Sequence, residues 1–266
     1  MKERIGLLAG KGSLPLEFLK SASSKGYETV TFALEGITNR EVESLSDKVF
    51  WIKPFKLGAF LKLLKKERLP QIAILGKVEH RVALTFSGFD LKALTFILSL
   101  EDRKPETIIK GIISEIEKTG TAVVDPTPFL SHLLTEPGVI AGELSSSLKK
   151  DVELGMKVAK EIASLDVGQT VVVKEGTVVA LEGIEGTDEC IKRGASLAGK
   201  GFTVCKAARR FQDMRVDVPT LGADTVKLVA LLGGKAVAFE AGRTFLLDRE
   251  KVVEIARKEG IAVIAV

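Results

Sequence analysis

The stretch Ile5-Gly6-Leu7-Leu8-Ala9-Gly10-Lys11-Gly12-Ser13-Leu14-Pro15 decides the class of fold. Ile5–Ala9 is a short apolar run closed by glycines, the pattern of a buried strand. Ser13 followed by Pro15 starts a helix, with Leu16, Leu19 and Ala22 on one face. A strand running through a glycine turn into a helix lets the backbone approach a ligand and aims unpaired N–H groups at an anion. Gly10, Lys11, Gly12 and Ser13 are therefore candidate contacts to a phosphate or nucleotide. Two known motifs come close without matching. A P-loop has four residues between its first glycine and Gly-Lys-Ser/Thr; here three separate Gly6 from Gly10, and Gly12 stands between Lys11 and Ser13. The dinucleotide fingerprint needs a third glycine, and Pro15 follows instead. A tight turn without a ligand is the alternative.

The same alternation continues outward. Strands are expected at Glu28–Leu34, Lys48–Ile52, Gln71–Leu75 and Thr121–Asp125. Helices are expected at Leu57–Glu67, at Leu91–Leu100 (apolar enough to be buried) and from Pro105 to a stop at Gly120. Strands separated by helices imply a parallel sheet covered on both faces. Asp125–Ser147, with Pro126, Pro128, Pro137 and a run of serines, reads as a connection with a short helix near Phe129–Leu134. Beyond it come a helix at Lys150–Leu165 and a hairpin of Thr170–Lys174 with Val178–Glu182 around Glu175-Gly176. A helix then starts at Thr187, a strand covers Phe202–Ala207, and a helix covers Asp224–Leu232. Strands at Ala236–Glu240 and Thr244–Leu247, a helix at Glu250–Glu259 and a strand at Ile261–Val266 complete the chain. Hairpins mixed with helices do not make a second doubly wound sheet. The expected organisation is an α/β chain with a parallel-sheet domain at 1–128, a linker at 129–147 and a distinct mixed α/β domain at 148–266.

Composition removes several kinds of chemistry. Among 266 residues there are two His and two Cys, and His80, His132, Cys190 and Cys205 lie too far apart in sequence for a structural zinc cluster. Two Cys staple little in a chain this long, so thiols are expected to be reduced and the protein cytoplasmic. No apolar run spans a bilayer, and the apolar start is too short for a signal-peptide core. A net charge of +4 is too slight to argue for nucleic acid and is compatible with an anionic ligand or membrane surface. Catalysis must rest on carboxylates, Lys, Arg, hydroxyls and backbone amides.

Three further segments carry such groups. Gly76-Lys77-Val78-Glu79-His80-Arg81 follows a strand, where parallel sheets open their ligand crevice, so Lys77 and Arg81 could hold an anion or simply be solvated. Glu182-Gly183-Ile184-Glu185-Gly186-Thr187-Asp188 is the densest acidic stretch. Its glycines could fold Glu185 and Asp188 around a hard cation such as Mg²⁺, although a turn and helix cap explain Thr187 and Asp188 equally well. In Gln212-Asp213-Met214-Arg215-Val216-Asp217, an extended backbone would put Asp213, Arg215 and Asp217 on one face. That set suits a metal-assisted phosphate site, with acids on the cation and Arg on phosphoryl oxygens. The alternative is a surface ion-pair ladder. Glu240 and Asp248, at strand ends, are weaker candidates for the same cluster.

Taken together, these segments resemble the LpxI-type UDP-2,3-diacylglucosamine pyrophosphatases of lipid A biosynthesis. The resemblance covers nearly the whole chain. It rests on Gly6–Pro15, Leu133-Leu134 with Pro137-Gly138, Asp166-Val167-Gly168-Gln169-Thr170-Val171-Val172-Val173, Glu182–Asp188 and Gln212–Gly222. It implies a Rossmann-like N-terminal domain and a distinct C-terminal domain. It also implies hydrolysis of the pyrophosphate bond to UMP and 2,3-diacylglucosamine 1-phosphate (lipid X) with Mg²⁺ or another divalent ion such as Mn²⁺. One of Asp213 and Asp217 is implied to be essential. The matched motifs add Gln169, Thr187 and Gln212 as substrate contacts, and Lys206 is a further candidate, although Lys206-Ala-Ala-Arg-Arg-Phe-Gln212 departs from the family's spacing. The expected metal ligands are Asp213, Asp217, Glu185 and Asp188. The chain departs from the family's Gly-Asp-Asp ahead of a helix, carrying Arg103-Lys104-Pro105-Glu106 there. A glycolipid nucleotide as substrate implies peripheral contact with the cytoplasmic face of the inner membrane, and a homodimer is compatible. Two rivals remain: a nucleotide-sugar oxidoreductase using NAD, against which the missing third glycine and absent Tyr-x-x-x-Lys count, and a non-catalytic nucleotide-sugar-lipid binding protein.

Overall fold

The computed structural model describes residues 2–77, 89–101, 105–209, 213–215 and 218–266. The chain divides into two compact units, Met1–Ser131 with Met214–Val216, and His132–Asp213 with Asp217–Val266.

The first unit holds a five-stranded parallel sheet in the order β3-β2-β1-β4-β5, with β1 at Arg4–Ala9, β2 at Glu28–Leu34, β3 at Lys48–Ile52, β4 at Gln71–Leu75 and β5 at Ala122–Val123. The central strand β1 is apolar from Ile5 to Ala9 because both its faces are covered. On one face, α3 (Leu57–Glu67) and α5 (Pro105–Glu117) contribute Phe60, Leu64, Ile113 and Ile116 to a core with Val30, Phe32, Ile72 and Val123. α1 (Leu14–Ser24) adds the buried Phe18 and Leu19, and Phe18 packs at 4.9 Å on Phe129 of α6 (Thr127–Leu130). A short helix, α2 (Val42–Leu45), has no counterpart in the sequence reading because a single turn carries no periodic signal. α4 (Leu91–Leu98) corrects an expectation. It buries Ala93 and Phe96 but leaves Leu91 78% and Leu98 75% exposed, so its high apolar content does not make it a buried helix. Asp90 starts α4 by accepting the Ala93 N–H at 2.8 Å and also accepts the Gly58 N–H of α3 at 2.8 Å.

The amino edge of this sheet is tied by ions. Arg4 reaches Glu28 at 3.0 Å and Glu67 at 3.1 Å, and Lys48 reaches the same Glu67 at 2.6 Å. The half-buried Glu67 is held below the ordinary carboxylate range: burial works against this, but the hydrogen bonds from Lys48 and Arg4 outweigh it. Asp47 is lowered first by the Thr29 N–H at 2.8 Å.

The second unit holds a six-stranded mixed sheet in the order β6-β13-β11-β9-β7-β8. Its centre is parallel: β9 (Thr203–Lys206), β11 (Ala236–Phe239) and β13 (Ala262–Ala265). Antiparallel strands flank it, β6 (Gly138–Ala141) on one side and the hairpin β7 (Thr170–Lys174)–β8 (Thr177–Leu181) on the other. α7 (Ser146–Ser164) covers one face with Val152, Met156 and Ala159. The opposite core takes Ile191 from α8 (Thr187–Ala198), Val226 from α9 (Ala223–Leu231) and Val252 from α10 (Arg249–Glu259). The buried Asp151 of α7 accepts the Glu175 and Gly176 N–H groups at 3.1 and 2.7 Å, pinning the hairpin turn. β12 (Phe245–Leu246) leaves the main sheet and pairs in parallel with β10 (Thr220–Leu221).

Residues 129–147, expected as a linker, are built into the units. Phe129 is core of the first, and β6 is an edge strand of the second, bonded to β13. The prolines that suggested a connection flank these short elements rather than dissolve them.

Candidate functional site

Parallel strands open their binding crevices beyond their carboxyl ends, at the point where the strand order reverses. In the first unit that point lies between β1 and β4. The segments leaving these strands are bonded backbone to backbone: Gly10 N–H to Leu75 O at 2.8 Å, and Lys11 and Lys77 to each other's carbonyls at 2.9 Å. Gly10 and Gly76 stand back to back. A Cβ on Gly10 would lie 2.9 Å from the Gly76 carbonyl carbon, and one on Gly76 would lie 2.7 Å from that of Gly10. Gly76 also has φ +96°, a region that only glycine occupies without strain. From behind, the buried Thr38 hydroxyl donates to Ala9 O. The turn thus brings together Gly10, Lys11, Gly12, Ser13 and Lys77, five of the expected anion contacts. Lys11 and Lys77 are exposed, and Ser13 opens α1 without capping it through its side chain. Arg81 lies outside the described residues.

The second unit's corresponding edge is made of side chains. Gln169, just before β7, sits beside the exit of β9: its amide donates to Ala207 O at 3.2 Å and accepts from Arg209 Nε at 3.3 Å. Arg209 also meets Asp166 at 3.0 Å. The Gln169 N–H is accepted by Glu182 at 3.1 Å, and Glu182 also accepts the Thr187 hydroxyl at 3.1 Å. Lys206 Nζ donates to Thr220 O at 3.0 Å. Glu240, 8% exposed, accepts the Ala208 N–H at 2.9 Å and meets Arg243 at 3.4 Å and Lys160 at 3.7 Å. Gln169 and Thr187 therefore share one polar framework through Glu182, while Lys206 ties the end of β9 to Thr220.

Glu185 and Asp188, expected on a cation, have other contacts here. One oxygen of Glu185 is paired with Arg193, and the other accepts the Gly183 N–H at 3.0 Å. The Arg193 hydrogen bond is the main reason its carboxyl is held low. Asp188 is exposed in the first turn of α8, where the helix dipole explains it. Among the described residues, no three His, Cys, Asp or Glu side chains gather as a metal site would require. The extended backbone expected across Asp213, Arg215 and Asp217 is not seen at the described residues 213–215. Met214 and Arg215 are in a turn, and Arg215 belongs to the first unit, 3.7 Å from Glu117. Asp213 is half-buried and belongs to the second unit. Gln212 and Asp217 lie outside the described residues.

Both thiols are buried and unbridged, and burial pushes Cys190 up to about 11 and raises Cys205 as well. Neither is an activated nucleophile.

Residues 4–133 match the family model of the LpxI N-terminal domain, and residues 136–264 match that of the LpxI C-terminal domain. The chain belongs to the LpxI family. The UDP-2,3-diacylglucosamine pyrophosphatase LpxI of Caulobacter vibrioides is 29% identical to it over 275 residues, covering 99% of this chain and 97% of that protein. Two solved structures give distant likenesses. The phosphoribosylglycinamide synthetase of Anaerococcus prevotii is 11% identical at a TM-score of 0.29, over 76% of this chain and 44% of its own. A biotin carboxylase of Campylobacter jejuni is 12% identical at 0.29, over 73% and 42%. Likenesses this weak carry no argument. Within the LpxI family reading, the polar framework of the second unit gains interest through residues the sequence barely marked. Glu240 was signalled only by its place at the end of an apolar strand, and Arg243 and Arg209 by nothing in their spacing.

Among the described residues no helix is long and apolar enough to cross a membrane.

Proposed function

We propose that this protein hydrolyses the pyrophosphate bond of UDP-2,3-diacylglucosamine, giving UMP and 2,3-diacylglucosamine 1-phosphate. The observation that carries the proposal is the match of both LpxI domains across the chain, with an end-to-end relative named for this activity. In the reaction a water oxygen forms a bond to one phosphorus. The bridging P–O bond breaks, and the bridging oxygen leaves with the other phosphate.

The backbone amides at Gly10–Ser13, with Lys11 and Lys77, suit the anionic nucleotide end of the substrate. Asp213 is the described carboxylate best suited to orient the water and take its proton. Lys206, in the same unit as Asp213, would offset charge on the phosphoryl oxygens. Asp213 and Asp217 would hold Mg²⁺ or Mn²⁺, whereas Glu185, committed to Arg193, is left out of that set. A divalent ion, when bound, would offset the negative charge of the diphosphate. Contact with the cytoplasmic face of a membrane follows from a lipid substrate.

The test is incubation of the purified protein with the substrate and detection of released UMP, with Mg²⁺, Mn²⁺ or a chelator. UMP and the sugar phosphate should appear in equal amounts, and the chelator should stop the reaction. Asp213→Asn should lower the rate by about 10²- to 10⁴-fold. Substrate left intact with both cations overturns the hydrolytic reading, and unimpaired Asp213→Asn and Asp217→Asn variants overturn the carboxylate site.

A further inference from the structure

We infer that Glu240 and Arg243 are positioning residues that set the place of Asp213. The inference rests on the reading of Asp213 as catalytic. The chain leaves β9 after Lys206, passes Asp213, and returns at Pro219 into β10. The described residues between Ala207 and Pro219 lie outside helices and strands, so no ladder of their own fixes them. Their departure and return are held from one short stretch, residues 240–247.

At the departure, Glu240 Oε2 accepts the Ala208 N–H at 2.9 Å, and Ala208 is itself buried. The next residue is held too: Arg243 Nη2 donates to Arg209 O at 2.6 Å, while its Nη1 stands 3.4 Å from Glu240 Oε1. At the return, the Phe245 N–H donates to Pro219 O at 2.9 Å and the Leu247 N–H to Leu221 O at 2.8 Å. Lys206 Nζ closes the span by donating to Thr220 O at 3.0 Å. A carboxylate this buried is costly to keep and rarely adds net stability over an apolar residue. Its partners here are a backbone N–H at the mouth of the catalytic segment and two cations, Arg243 and Lys160. The arrangement has the form of a brace that fixes where Asp213 begins its reach. A displacement of about an ångström at a reacting group can cost about a hundredfold in rate.

The experiment measures steady-state UMP release by the full-length protein carrying Glu240→Ala, Glu240→Gln, Arg243→Ala or Asp213→Asn, and the double variant Asp213→Asn with Glu240→Ala. Glu240→Ala should lower kcat by about 10- to 100-fold with KM changed by less than about twofold. Glu240→Gln should recover most of that loss, because its amide oxygen still accepts the Ala208 N–H. Arg243→Ala should lower kcat in the same direction. The double variant should be no slower than Asp213→Asn alone, since Glu240 acts through Asp213. The inference is overturned if a folded Glu240→Ala keeps its kcat, if only KM moves, or if the two losses multiply. If Glu240→Ala does not fold, Arg243→Ala decides: an unchanged kcat overturns the brace. An unimpaired Asp213→Asn removes the catalytic reading itself, whereas an impaired Asp213→Asn beside an unaffected Glu240→Ala removes only the brace.

Discussion

The two units each present the carboxyl edge of a sheet, and they build it from different materials. In the first unit the edge is backbone: Gly10 and Gly76 are pressed together, and Lys11 and Lys77 exchange main-chain hydrogen bonds. In the second unit the edge is side chain: Gln169, Glu182, Arg209, Glu240 and Arg243 link segments distant in the chain. A surface of amides tolerates little change in the residues that make it but leaves its ligand free to be any anion of suitable size. A network of charged side chains fixes particular atoms, which is what placing a reactive carboxylate requires.

The contrast can be broken at several points. The largest effect on stability is expected from Gly76→Ala. Its new Cβ would meet the Gly10 backbone while the residue keeps a positive φ, and overpacking of this kind costs about 1–3 kcal/mol. Urea unfolding followed at Trp51, which lies on β3, reads the first unit directly. An unchanged midpoint would show that the two segments do not need their close approach.

Acidification should separate the units next. Asp47, Glu67 and Glu115, all in the first unit, are held low; for Glu115 the leading causes are the Lys118 and Lys92 hydrogen bonds. A lowered folded value means that their stabilisation is present above the ordinary values of 3.8 for Asp and 4.5 for Glu and is lost as pH falls through the folded ones. In the second unit Glu185 is held low, first by its hydrogen bond from Arg193, but it is exposed and solvent screens what it adds. Trp51 fluorescence should therefore change at higher pH than the circular dichroism of the remaining structure. Coincident transitions would count against a difference between the units.

The smallest effect is expected from Glu185→Gln. An exposed ion pair contributes little, so hydrolysis should change by less than about twofold. A collapse of activity would return Glu185 to the metal set and weaken the assignment of chemistry to Asp213.

Much of this was legible in the chain. Strands β2, β3 and β4 and helix α3 fall where their apolar patterns place them, and the hairpin turn sits on Glu175-Gly176. These features are local, set by periodicity and turn chemistry within a few residues. β6 and β10 were not read from the chain, because β6 directly follows Pro137 and β10 directly follows Pro219, and these turn residues mask the short apolar runs. At the site, Gly10–Ser13 could be read because glycines mark backbone ligation. Glu185 and Asp188 were read as cation ligands from acid density, which says nothing about partners. Arg193, which claims Glu185, lies eight residues away on another element.

The sequence by itself determined that the chain alternates strand and helix, that a glycine turn opens it, and that its two His and two Cys are too far apart in sequence to read as a zinc cluster. Those conclusions follow from composition and from spacings along the chain. Only the tertiary structure decided the strand order that sets Gly10 against Gly76, the turn at Arg215 and the hold of Glu240 on Ala208. The residues involved are 32 apart for Glu240 and Ala208 and 34 apart for Arg243 and Arg209. Which side chains meet over such separations is fixed by the packing of the sheet between its helices, and no local pattern of residues carries that information.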